Sequence, residues 1–423
     1  MDDWRTPGRI VHDPHEGPAS ALVVEAPGVR RLEAGAEASA RVCVGERSFE
    51  IRFRVSEGAV SGGVEPFLAL ALFPAMKLGL ALCTEAECSA RFLENLDVIQ
   101  DRFLSWDSSL SRVRIVAPAA LDPKPLVPRR SGAFFSGGVD SFHTLFRYAG
   151  QVSDLVFVHG FDIPVRDEQF YRQNALLYEE VAAEFGKRLV RVSTNLREFT
   201  DCYVDWGLFA HGPALAAVAL LLEPQLDRML IPGEYFPASS VPPPRGSHPE
   251  TDPLWGTEQM TIVHDGFDRT RAQKLAEIQH HPMVRRLLRV CWQRKNQGYN
   301  CCECGKCLRN MAILRAYGVL DQFSCFHLPL DTRKLARQRV TLAQWREMLE
   351  EILEILGTPS KDPALTEAIR YCLAERYYRG PRAFLRRALQ TLQESPAVPR
   401  PAAARARSEP AQPGPSWPAR RHG

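Results

Sequence analysis

Four short apolar segments alternate with helix-forming segments between residues 131 and 231, and this alternation restricts the fold more than any other feature of the chain. It is typical of βαβ units, in which helices join parallel strands through right-handed crossovers. The sequence therefore predicts an α/β fold with a doubly wound parallel sheet, whose ligands bind at the carboxyl ends of the strands. The predicted strands cover residues 133–135, 155–159, 188–192 and 228–231, and the predicted helices cover 140–150, 169–186 and 211–223.

A glycine-rich loop, SGGVDS at residues 136–141, joins the first predicted strand to the first predicted helix. Two adjacent glycines allow the backbone to turn sharply and approach an anion, and the first amides of the helix favour negative charge. The two serines add hydroxyl donors, and the aspartate can cap the helix or hold a magnesium ion. A turn without a ligand is the alternative, but the full string favours a nucleotide-binding loop. Its predicted binding residues are Ser136, Gly137, Gly138, Asp140 and Ser141.

Five of the 11 cysteines lie between positions 291 and 307. Cys291, Cys301, Cys304 and Cys307 form a C-x9-C-x2-C-x2-C pattern. Two-residue gaps let thiolates converge on one ion, and four sulfurs with no open position describe a structural zinc site. An iron–sulfur cluster, a redox-active cysteine pair and chance clustering are the alternatives. Cys302 is surplus to four ligands and could substitute for Cys301.

The loop and the cysteines together resemble a known family. The string SGGxDS after a strand is similar to the PP-loop of the ATP pyrophosphatases, which cleave ATP to AMP and pyrophosphate, and no Walker-type GKS or GKT follows it. With the cysteine spacing, residues 131–320 resemble the 7-cyano-7-deazaguanine synthase family of the queuosine pathway. The resemblance implies ATP, Mg²⁺ and Zn²⁺ as cofactors, with the zinc held by the four cysteines beside the active site.

The second predicted strand ends in His159, Gly160 and Phe161. In PP-loop enzymes this strand end lies beside the adenine, so the resemblance implies that these three residues contribute to nucleotide binding. The nearby sequence contains no independent motif that would fix their role.

A predicted helix, TRAQKLAEI, resembles the family's Thr-Lys-x-Glu helix start, with Arg271 in place of the lysine and Lys274 one turn later. Either cation could contact phosphate, and a solvated helix face is the alternative. Arg309, on the helix after the cysteines, could also aim at an anion in the neighbouring site. The predicted catalytic residues are Asp140, Ser141, Arg271 and Lys274.

A proline-rich loop at residues 232–258 follows the fourth predicted strand, where a substrate would sit. Prolines lower the entropy of the unfolded chain, so such a loop can hold recognition side chains at little ordering cost. We expect Glu234, His248 and Asp252 to contact the substrate, while an ordinary surface loop is the alternative. The segment, which also contains Trp255, does not match the purine-recognition segment of the resembled family.

The other segments predict accessory regions. Residues 40–55 alternate polar and apolar side chains as a hairpin does, and residues 91–106 have helical spacing. The predicted regions are a flexible leader (1–20), an N-terminal α+β domain (21–120), a PP-loop ATP-binding domain with the cysteine cluster (131–330), a helical extension (331–394) and a disordered tail (395–423).

The function implied by the resemblance is ATP-dependent adenylation of a carboxylate or amide, with pyrophosphate release and then amide or nitrile formation. The expected partners are a small-molecule or peptide acyl substrate and ammonia or another amine donor. A PP-loop tRNA thiolase, with Cys202 or Cys302 as sulfur carrier, is an alternative within the enzyme class. A nucleotide-binding regulatory protein without turnover is the alternative outside it.

Composition narrows the partners further. The net charge of +3 disfavours a nucleic-acid partner. No apolar run reaches the roughly 18 to 20 residues that cross a bilayer, which disfavours a membrane. The N-terminus lacks the basic segment and apolar run of a signal peptide, so we expect a cytoplasmic protein. The sequence leaves a homodimer open.

Overall fold

The structure is a computed structural model that describes residues 21–120, 129–235, 245–291, 293, 299–340 and 343–374. The predictions for the leader and for the C-terminal tail fall outside these residues, as does residue 375 onward of the helical extension.

The strands and helices of the N-terminal part are β1 (Ala21–Val24), β2 (Gly28–Arg31), β3 (Ala36–Val44), β4 (Arg47–Val55), α1 (Glu65–Leu78), β5 (Ala81–Cys83), α2 (Ala90–Trp106) and β6 (Ile115–Val116). Those that follow are β7 (Arg130–Phe134), α3 (Val139–Arg147), β8 (Asp154–His159), α4 (Glu168–Glu184), β9 (Arg188–Thr194), α5 (Arg197–Thr200), α6 (His211–Leu221), β10 (Leu226–Pro232), β11 (Thr261–Asp265), α7 (Arg271–Ile278), α8 (Pro282–Leu287), α9 (Gly305–Ala316), α10 (Thr332–Ala336), α11 (Ala343–Leu356) and α12 (Pro363–Leu373).

All strands belong to one mixed, mostly parallel sheet in the order β11-β10-β7-β8-β9-β4-β3-β1-β5-β6, with β2 paired to β3. Strands β7 to β11 are parallel to their neighbours within this set. Strands β9 and β4 are antiparallel and join the two halves, with Phe53 opposite Thr194 and Val55 opposite Val192. The α/β class is therefore confirmed. The PP-loop type and the domain boundaries remain predictions.

The four strands and three helices predicted between residues 131 and 231 are all present as β7 to β10, α3, α4 and α6. Their ends differ by a few residues, for reasons that lie in tertiary structure. Strand β9 continues to Thr194 rather than ending at 192 because its last residues pair with β4. The predicted hairpin is confirmed as β3–β4, and residues 90–106 form α2.

Two helices that are apolar on every side form the centre of the larger core. Helix α1 is buried from Pro66 to Met76, and helix α6 is buried from Gly212 to Leu221. A helix that is hydrophobic all round must be covered on all sides. The two helices pack against each other. Among the described residues, no helix is long and apolar enough to cross a membrane.

Candidate functional site

The loop between β7 and α3 requires glycine at position 137. The φ angle of Gly137 is +70°, in the left-handed region that L side chains rarely adopt. A Cβ there would lie 2.6 Å from Oη of Tyr178, whose hydroxyl donates a 2.6 Å hydrogen bond to the Ser136 carbonyl oxygen. A side chain at position 137 would therefore strain the turn and displace Tyr178.

Two further hydrogen bonds hold the loop by its carbonyl groups. The Arg289 N–H donates to the Gly137 carbonyl oxygen at 2.8 Å, and Ser141 Oγ donates to the Gly138 carbonyl oxygen at 3.0 Å. Gly138 precedes the first turn of α3 and provides no side-chain cap. The first amides of a helix have no acceptor inside the helix, so this end of α3 favours an anion.

Asp140, in the first turn of α3, binds two cations from α7. Its Oδ2 accepts a 2.9 Å hydrogen bond from Arg271, and its Oδ1 accepts a 2.8 Å hydrogen bond from Lys274 Nζ. Lys274 also donates to the Gly233 carbonyl oxygen at 2.6 Å. The Lys274 side chain is only 1% exposed, so the solvated-face interpretation is wrong for this residue. Asp140 does not cap α3, because it is the second residue of the helix and the N-cap position is Gly138.

The charges around Asp140 determine its ionisation. Burial opposes the charged form, but Arg271, Lys274 and Lys306 favour it and lower the pKa of Asp140 below the ordinary aspartate value. The carboxylate is therefore ionised at neutral pH, and it in turn keeps the buried Lys274 ammonium paired.

A cavity of about 250 Å³, the first cavity, opens at the carboxyl ends of β7, β8 and β10. Its apolar lining residues include Phe157, Phe161 and Leu215. Its polar lining includes the loop residues other than Gly137, together with Arg271, Lys306 and Asn310. Apolar and charged groups thus meet in one cleft, as they do in sites for amphiphilic ligands such as nucleotides.

A second cavity of about 570 Å³ lies between α7, α9 and α11. Its walls include Lys274, Arg309, Trp345 and several glutamates of α11. The two cavities adjoin, because they share the residues Asp140, Glu234, Arg271, Lys306 and Asn310.

Cys291, Cys301, Cys304 and Cys307 form a buried cluster whose sulfurs all lie within 4.8 Å of one another. The Cys291–Cys304 and Cys301–Cys307 sulfur distances are both 3.9 Å. Four sulfurs arranged tetrahedrally at about 2.3 Å from a zinc ion lie about 3.8 Å apart. The cluster can therefore bind a metal such as zinc.

The amides and thiols of the cluster fit the same conclusion. The Cys304 N–H points to Cys301 Sγ at 3.3 Å, and the Cys307 N–H points to Cys304 Sγ at 3.4 Å. Without a cation, hydrogen bonding to Cys291 raises the pKa of Cys304 to about 11 and raises that of Cys307 further. A bound cation favours the thiolate form, because thiolate is the ligand.

Cys302 lies outside the four-sulfur cluster. It adopts a φ of 55°, its side chain is buried, and its Sγ contacts the Asn300 carbonyl oxygen at 3.5 Å. The spacing alone could not decide whether Cys301 or Cys302 belongs to the cluster. The backbone turn at Cys302 separates the two, and only Cys301 is part of the cluster.

The structure places only one of the three predicted adenine-contacting residues in the lining of the first cavity. Phe161 lines the first cavity, whereas His159 and Gly160 do not. His159 is buried, stacks on Tyr171 at 4.1 Å and contacts the Pro164 carbonyl oxygen at 3.0 Å. Gly160 has a φ of +107°, and a Cβ there would lie 2.0 Å from the Thr194 carbonyl oxygen.

Of the three predicted substrate residues, Glu234 lines both cavities and pairs with Arg245 at 2.7 Å. His248 and Asp252 are 1% and 0% exposed and line neither cavity. Asp252 Oδ2 instead accepts hydrogen bonds from Ser247 and from His264 Nδ1, each at 2.7 Å.

The segment around His248 packs against the N-terminal half of the protein. The His248 ring lies 4.7 Å from the Trp106 ring of α2, and Trp255 is buried among aromatic residues that include Phe73. Burial lowers the pKa of His248 to about 4. The sequence predicted substrate contacts for His248 and Asp252, but the structure buries both side chains in this segment.

Polar lining residues of the first cavity that were not identified from the sequence include Asp162, Arg289, Lys306 and Asn310. Asp162 directly follows the strand-end residues that were singled out, and Arg289 lies two residues before Cys291. Lys306 and Asn310 are on α9, which begins at the cluster cysteine Cys304. For Arg289, Lys306 and Asn310, the available signal was their proximity in sequence to the cysteine pattern.

Both segments that carry cluster cysteines also line the first cavity, so the cluster and the cavity are neighbours. No family model, curated protein or solved structure matches the chain.

Proposed function

We propose that this protein is an ATP-dependent ligase that adenylates a carboxylate or amide and releases pyrophosphate. The observation that carries the proposal is the shared cleft, in which the glycine loop, an apolar strand end and a cluster of cations line one cavity. A phosphate-binding loop alone would also suit a simple anion. Apolar lining residues in the same cavity suit a ligand that has both a base and phosphates.

In this proposal ATP lies in the first cavity. The adenine contacts apolar residues such as Phe161 and Leu215, and the β- and γ-phosphates bind the loop and the first amides of α3. Arg271 and Lys306, which line the same cavity, would neutralise phosphate charge. Magnesium would arrive with the triphosphate and compete with Arg271 and Lys274 for the Asp140 carboxylate.

The proposed reaction begins when a substrate oxygen attacks the α-phosphorus. The bond between the α-phosphorus and the bridging oxygen breaks, and pyrophosphate leaves with the electron pair. Ammonia or another amine then attacks the acyl carbon, the amine loses a proton, and AMP leaves, which yields an amide. A second activation of that amide by ATP would give a nitrile. The residues contribute positioning and charge neutralisation.

We further propose that the four-cysteine cluster holds a structural zinc ion. The 3.9 Å sulfur distances fit one ion, whereas an iron–sulfur cluster would have to place several irons between its ligands. The ion would fix Cys291 to the start of α9 and so position Lys306 and Asn310. Sulfur transfer to tRNA has no comparable support, since neither Cys202 nor Cys302 lines either cavity.

Isotope exchange between labelled pyrophosphate and ATP tests the proposal. The full-length protein with Mg²⁺ is given pooled small carboxylic acids, and label entering ATP reports reversible adenylation. We expect exchange that depends on the acid pool and disappears in Asp140→Asn. ATP binding without exchange, for pools that span amino acids, aromatic acids and heterocyclic acids, would refute adenylation of a carboxylate.

A further inference from the structure

Arg309 of α9 is a buried cation that the proposed reaction does not use. It is 8% exposed and lines the second cavity, but it does not line the first. Its guanidinium lies 4.0 Å from the centre of the Trp345 ring. Within the described part of the chain, no carboxylate pairs with it.

A buried charge without a counter-ion is energetically costly, and proteins normally pair it. An arginine side chain stays charged at neutral pH even where it is buried. Stacking on Trp345 holds the guanidinium plane but supplies no negative charge. A planar guanidinium fixed in this way presents its N–H groups to an oxyanion as a two-pronged donor.

The rest of the second cavity carries charges of both signs, which disfavours a multiply charged anion. Lys306 and Arg271 line it beside Arg309. The wall formed by α11 carries Glu347 and Glu354, among other carboxylates. Carboxylates in the wall would repel a multiply charged group such as pyrophosphate far more than a singly charged one.

We propose that Arg309 forms an anion subsite in the second cavity that holds a non-reacting carboxylate of the acyl substrate, beside Lys306 and Arg271, which line both cavities. The identity of the anion rests on the proposed function, but the existence of the subsite does not. The substrate then spans from Arg309 toward the residues shared by both cavities, so that its other end meets the nucleotide.

Anomalous diffraction from crystals of the full-length protein in sodium bromide tests the subsite directly. We expect a bromide peak at the Arg309 guanidinium in the wild-type protein and in Arg309→Lys, and none there in Arg309→Gln. Metal content and melting temperature show whether each variant is folded. A wild-type map without bromide at Arg309 would overturn the subsite, even if Arg309→Gln fails to fold.

Calorimetric titration with inorganic pyrophosphate tests the choice of carboxylate. We expect the dissociation constant of pyrophosphate to change less than twofold in Arg309→Gln, because pyrophosphate binds the loop. A loss of tenfold or more would assign the subsite to the leaving group and overturn the carboxylate proposal. Neither experiment contains ATP, so their results do not depend on the proposed function. If the exchange assay fails but bromide is found at Arg309, the proposed function is refuted and the subsite is retained.

Discussion

Each half of the sheet contains a carboxylate that is bound by two cations, and the two sites differ in what surrounds them. In the N-terminal half, Glu37 of β3 accepts a 3.1 Å hydrogen bond from Arg30 and a further one from Arg54. In the other half, Asp140 is bound by Arg271 and Lys274. Glu37 lies within a strand and lines neither cavity, whereas Asp140 lines both.

The comparison separates ion pairing from function. A carboxylate with two cations stabilises a fold in either place, and its pairing alone does not indicate chemistry. What distinguishes Asp140 is its position in the first turn of α3, beside a glycine loop at the carboxyl ends of parallel strands. Mutations in the half that contains Asp140 can be compared with mutations in the half that contains Glu37 to test this distinction.

The largest expected effect is that of Cys304→Ser. This substitution removes one of the four proposed metal ligands, in the half of the protein that contains Asp140. We expect loss of the bound metal and a decrease of about 5 kcal/mol in the free energy of unfolding, because structural zinc stabilises the fold it binds. Metal analysis and thermal unfolding measure both effects. Cys302→Ser, outside the cluster, is the control and should retain the metal. Full metal content in Cys304→Ser would contradict the assignment.

The second prediction compares the two carboxylates directly. Asp140→Asn should lower turnover by at least about 100-fold, as expected when a charged group at a reacting centre is lost. It should also lower the free energy of unfolding by about 2 kcal/mol, because it removes the negative charge beside Lys274.

The matched control is Glu37→Gln, which should lower stability by a similar amount and leave turnover within about twofold. Turnover is measured as pyrophosphate release, and stability by urea unfolding. Equal losses of turnover in the two variants would show that Asp140 acts only through stability.

The third prediction concerns the pH dependence of stability. It involves His248, which lies where the 245–258 segment packs against α2. His248 has a pKa lowered to about 4 by burial, against an ordinary value of 6.5. Between these values the unfolded chain binds a proton that the folded chain does not, so stability falls as the pH decreases through this window. At pH 5 the expected loss is about 2 kcal/mol relative to pH 8.

The variant His248→Asn should remove this part of the pH dependence, as measured by urea unfolding at both pH values. The exposed His280 provides the control, since His280→Asn should keep the wild-type slope. An unchanged slope in His248→Asn would mean that another group titrates in this window.

The smallest expected effect belongs to Lys306→Gln. Lys306 is exposed and lines both cavities, so its loss should weaken ATP binding about tenfold and change stability by less than about 0.5 kcal/mol. Lys334→Gln makes the same charge change on α10, where Lys334 pairs with Glu303 away from both cavities. Calorimetric titration with ATP distinguishes the two variants, and equal affinities would exclude Lys306 from the nucleotide site.

The sequence predicted the features that depend on local pattern. Strand and helix periodicity located β7 to β10, and fixed spacing selected the four cysteines that the structure brings together. The SGGVDS string located a loop that does line a cavity. Each of these follows from residues close together in the chain, where sterics and spacing act directly.

Features that depend on distant contacts could not be predicted. The bonds from Asp140 to Arg271 and Lys274 join residues that are 131 and 134 positions apart. His248 was predicted to contact a substrate, but its ring packs against Trp106 of α2. The pairing of β9 with β4, which joins the two halves, has no local signature either.

The most direct test of the central claim is the identity of the products formed from ATP labelled in its α- and γ-phosphates. The full-length protein is incubated with Mg²⁺, ammonium and an acid that supports isotope exchange, and the labelled products are separated and counted. The proposal predicts labelled AMP and an equal amount of pyrophosphate, both dependent on the acid and both absent with Asp140→Asn. Labelled ADP with orthophosphate, from a preparation free of contaminating kinases, would contradict it.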